Sequence, residues 1–143
     1  MMIALPLALM VLAGNGLLDH FDPPTGILLT PVVVPLAVWL IAFARHCTPV
    51  PKAVLAAALI SLHDISIKLY GGAMHDNAGQ GIIHLFLFIA LLVAFIILVA
   101  AVDQDKSAPP RARRMAKVVF LVLVAIHLGL TGDLGLGQCV NCY

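Results

Sequence analysis

Glutamate is absent from these 143 residues, tryptophan occurs once, and only 10% of the chain is charged. A soluble globular domain is about 25% charged, and a disordered chain combines high charge with low hydrophobicity. With 62% hydrophobic residues and a mean hydropathy of +1.09, this chain is neither. Its formal net charge is +1, so no basic excess points toward nucleic acid. No internal repeat of about 20–50 residues is present. The length allows one domain, 1–143. The composition is that of a small polytopic membrane protein.

A helix needs about 17–25 apolar residues to cross a bilayer. Five stretches meet or approach that length, near 3–18, 26–44, 53–70, 81–102 and 116–130. They predict an all-α integral membrane bundle of five transmembrane helices. The first is short and softened by Gly14, Asn15 and Gly16. Its rival reading is a cleaved signal peptide, which would leave four spans. No Lys or Arg precedes it, whereas a signal peptide usually begins with positive charge. Pro31 and Pro35 interrupt the second stretch, a feature that neighbouring helices tolerate.

Seven of the eight Lys and Arg fall in two alternate loops, Arg45 and Lys52 in one, Lys106, Arg111, Arg113, Arg114 and Lys117 in the other. Alternate loops share a side of the membrane, and basic loops face the cytoplasm. The expected topology has the N-terminus inside and the C-terminus outside, in a bacterial inner membrane. Trp39 and Tyr70 then sit at opposite interfaces as anchors.

In that topology five of the six His and five of the seven Asp collect in the outer half. At about 1.5 Å per residue, His63 lies about 15 Å along the third helix, near the midplane, and His127 reaches a similar depth. A charge at that depth is costly, so Asp64 needs a partner. Lys68, four residues on, shares its helix face. The run from His63 to His84 adds His75, Asp76, Asn77 and Gln80 around Gly71 and Gly72, which are expected to end the third helix in the left-handed conformation of a C-cap.

This cluster supports several readings. His20, His75, Asp76 and His84 are candidate ligands for zinc, copper or iron, since imidazole and carboxylate both serve such ions; Met74 beside His75 adds a thioether. No H-x-x-x-H or H-E-x-x-H spacing accompanies them. His63 and His127 match in depth, as two axial haem ligands would. His63, Asp64, Lys68 and His127 form a candidate proton or ion relay in an oligomeric transporter. The fourth reading is a polar network that fixes packing in an accessory or scaffold subunit with a membrane-protein partner or a second copy. No nucleophile–base pair has convincing spacing, which speaks against an enzyme: Ser61 and His63 point to different faces. Cys139 and Cys142, in a Gly-rich tail, are a candidate disulfide, permitted on the oxidising outer side. The accessory or scaffold role is the leading expectation.

Overall fold

The computed structural model describes residues 3–44, 47–72 and 74–138. Five α-helices follow one another: α1 (Ala4–Phe21), α2 (Thr25–Ala42), α3 (Pro49–Tyr70), α4 (Asn77–Gln104) and α5 (Pro110–Thr131). Each is long and apolar enough to cross a membrane. Among the described residues there is no strand.

The helices begin where their sequences permit. Proline stands in the first turn of α3 and of α5, where its missing N–H has no intrahelical partner to lose. Asp76 caps α4, its carboxylate accepting from Gly79 N at 2.7 Å. α2 runs through both Pro31 and Pro35. α5 starts at Pro110, ahead of the expected boundary, because Arg111, Arg113 and Arg114 are good helix formers. Likewise α1 continues past Gly14, Asn15 and Gly16 to Phe21. Asn15 and Asp19 are buried there rather than breaking the helix.

α2 lies at the centre, against α1, α3 and α4, and α3 carries α5 on its other flank. Alanines are prominent in the buried core between the helices: Ala37 on α2, Ala53, Ala56 and Ala57 on α3, Ala90 and Ala94 on α4. Small side chains let helix backbones approach closely. Phe120 of α5 stacks on Phe95 of α4, with ring centroids 5.8 Å apart. At the basic end Lys117 Nζ bonds Asp103 Oδ2 at 2.8 Å, tying α5 to the end of α4. In the adjoining loop the Ser107 hydroxyl donates to Asp105 and holds its carboxyl below the usual range.

Elsewhere α4 and α5 diverge. An apolar cleft of about 480 Å³ opens between them beside Gly81, His84, Phe88 and Leu128. A second, of about 270 Å³, continues it along Phe88, Leu91 and Phe120.

Candidate functional site: a polar network in the His/Asp half

The end of the bundle opposite the basic loops holds a buried polar network built by all five helices. Its centre is Asp64. Lys68, one turn later on α3, places Nζ 2.8 Å from Asp64 Oδ2. From α5, His127 Nε2 reaches the same oxygen at 2.9 Å. Lys68 also donates to the carbonyl of Thr131 at 2.9 Å. The Thr131 hydroxyl donates to the carbonyl of His127 at 2.8 Å and lies 3.4 Å from Asp64 Oδ2. One carboxylate oxygen therefore gathers α3 and the last turn of α5. Lys68 is fully buried, a rare state for lysine unless it is paired.

His63, the neighbour of Asp64, turns toward α2, with Nε2 3.2 Å from Thr30 Oγ1. Thr30 donates to the carbonyl of Gly26 at 3.1 Å, and Asn15 Nδ2 of α1 donates to that carbonyl at 2.9 Å. Asp19 of α1 accepts from Ile27 N at 3.0 Å and so grips the first turn of α2.

The loop after α3 closes this end. His75 is buried and donates from Nδ1 to the carbonyl of Lys68 at 2.9 Å. Its backbone pairs with the C-terminal stretch: His75 N donates to Gln138 O at 3.0 Å, and Gly137 N donates to His75 O at 2.7 Å. Gln80 of α4 donates to Leu134 O at 2.7 Å. Gly72 N donates to Asp19 O at 3.1 Å.

Gly71 does end α3, but not as expected. Its φ is −59°, so left-handed freedom is not its purpose. A Cβ there would lie 2.5 Å from Asp19 Oδ2 and 3.3 Å from His75 Nε2. The position is glycine because α1 and the loop converge on it. Gly135, at φ +79°, abuts the Lys68 carbonyl and does need that freedom.

The network takes up the residues singled out in the sequence unevenly. Asp64, Lys68 and His127 come together directly, while His63, beside Asp64 on α3, bonds Thr30 of α2 instead. The expected Asp64–Lys68 pair is present. His20, His75, Asp76 and His84 take separate posts. His20 Nδ1 donates to the Tyr70 carbonyl at 2.8 Å. Asp76 is the α4 cap, and His84 lines the α4–α5 cleft. Among the described residues no three His, Cys, Asp or Glu converge as a metal-ligand set. His63 and His127 direct Nε2 at Thr30 and Asp64 respectively, not at a shared gap. Cys139 and Cys142 lie outside the described residues. Thr30, Thr131 and Asn15 were not legible as members, whereas Asp19 belonged to the outer-half acids. The signal for the two threonines was the four-residue spacing of Gly26 to Thr30 and of His127 to Thr131, which lets a helical hydroxyl bond the preceding turn.

Several buried polar atoms have no hydrogen-bond partner among the described residues: His63 Nδ1, Asp64 Oδ1, Asp19 Oδ2 and His75 Nε2 belong to this half. A cavity of about 10 Å³ sits beside the first two residues, lined by Thr30, His63, Asp64, Ile67, Ile83 and Leu87. Comparison of the chain with family models, with curated proteins and with solved structures gives no match.

Proposed function

We propose that this chain is a five-span integral membrane protein and serves as an accessory or scaffold subunit of a larger membrane assembly. The observation that carries the reading is the internal pairing of Asp64, Lys68 and His127. Two ionisable groups of α3 and one of α5 pair through Asp64 Oδ2 inside a single bundle. Within a bilayer such pairing replaces water and fixes which helices adjoin. The network then works as a lock on the outer half of the bundle. The positive-inside rule, applied to the basic loops, supports a lock on the side away from the cytoplasm.

Single changes of His63, Asp64, His75 and His84 to alanine test the reading. In a structural role the first three lower the yield of assembled protein. His84, which has no post in the network, leaves it unchanged. Intact assembly in all four, with loss of bound metal or of ion flux, would refute the structural role.

A second reading, proton handling by His63, Asp64, Lys68 and His127, is favoured by one specific feature. Two of the unpaired atoms, His63 Nδ1 and Asp64 Oδ1, belong to residues that line the same small cavity. Vesicles containing the purified chain and a pH-sensitive dye decide it: a proton leak lost in Asp64→Asn supports this reading, and tight vesicles refute it.

A further inference from the structure

Two polar chains cross the His/Asp half, and no direct hydrogen bond joins them among the described residues. The first runs from Asn15 through the Gly26 carbonyl and Thr30 to His63. The second runs from Asp64 through Lys68 and His127 to Thr131. They come closest at His63 and Asp64, consecutive residues of α3.

The bonding pattern fixes what each end offers. Thr30 has one hydroxyl proton and gives it to Gly26 O. Its contact with His63 then has the imidazole donate from Nε2, and in the neutral ring this leaves Nδ1 as an acceptor. Asp64 uses Oδ2 for Lys68 and His127, leaving Oδ1 as a second acceptor. Both residues are almost wholly buried, at 1% and 2% exposure. Two buried acceptors cannot bond each other. They need a donor with two protons.

We infer that the cavity lined by Thr30, His63, Asp64, Ile67, Ile83 and Leu87 is a binding site for one water molecule that donates to His63 Nδ1 and to Asp64 Oδ1. Its volume of about 10 Å³ stands at the lower limit for holding one water, about 10–15 Å³. Purely apolar voids of this kind stay dry, whereas a void with two polar partners holds water. Calcium and magnesium take about six oxygen ligands or more; here Ile67, Ile83 and Leu87 form half the lining. His63 also borders a wider, separate cleft of about 230 Å³ beside Leu9, Leu62 and Ser66. With the water in place the two chains become one, hydrogen-bonded from Asn15 of α1 through α2 and α3 to Thr131 of α5.

The test is imidazole ¹⁵N NMR of the full chain in lipid bilayers, with His63 assigned through its backbone correlations. The site predicts a proton on Nε2, an Nδ1 resonance moved upfield from that of an unbonded ring nitrogen, and a cross-peak between the His63 ring and water. A proton on Nδ1, or a ring without contact to water, overturns the proposal. A high-resolution density map gives an independent reading: one peak within hydrogen-bond distance of both atoms supports it, and an empty cavity refutes it.

Discussion

Asp64 and Lys68 stand one turn apart on α3, with Oδ2 and Nζ 2.8 Å apart and neither side chain open to solvent. Removing one member of such a pair leaves an uncompensated buried charge, at a cost of about 3–5 kcal/mol. Lys68→Met is therefore expected to destabilise the folded bundle by that amount in reversible unfolding from detergent. Adding Asp64→Asn should recover at least half of the loss, because the stranded charge goes with it. Additive losses in the double variant would show that the pair does not interact.

His127 is the polar member of a narrow buried stripe on α5, with Ala116, Phe120 and Val124. His127→Phe keeps the bulk but leaves Asp64 one donor short, a loss of about 1–3 kcal/mol. His127→Gln can still donate and should retain more of the stability. Equal loss in the two variants, read from thermal unfolding, would mean that ring packing rather than the bond to Asp64 holds α5.

Gly71 and Gly81 differ sharply in what surrounds them. A methyl at Gly71 meets Asp19 Oδ2, His75 Nε2 and the Ile67 carbonyl, and at Gly81 it meets nothing within 4 Å. Gly71→Ala is expected to lose about 1–3 kcal/mol through overpacking. Gly81→Ala, inside α4, is expected to gain about 0.5–1 kcal/mol through helix propensity. A tolerated Gly71→Ala would show that α1 and the loop after α3 approach each other less closely.

Topology has its own check. A periplasmic-type reporter fused after Tyr143 should be active, and the same reporter in the loop between α4 and α5 should be silent. The reverse pattern would invert the assignment of every residue to a side of the membrane.

Much of the bundle was legible in the sequence because span length and hydropathy are properties of a single stretch. The boundaries of α1 and α5 were less so. Asn15 read as a helix-weakening residue and Asp19 as lying past the end of the first span, until tertiary burial gave both partners on α2. The pair on α3 was legible because it is local, four residues apart. His127 joins Asp64 across 63 positions, and no local spacing announces that bond. The ligand set His20, His75, Asp76 and His84 was assembled from a shared end of the bundle alone. The structure instead gives Asp76 a capping role, buries His75 under the last described residues and places His84 on the α4–α5 cleft.

The most direct test of the scaffold role is native mass spectrometry of the chain, mass 15.1 kDa, released from its own membrane in mild detergent. The account predicts a complex in which the chain is held by another membrane polypeptide or a second copy, and its dissociation in Lys68→Met. A chain that leaves the membrane as a monomer carrying only lipid, or a monomer with stoichiometric metal, would contradict it.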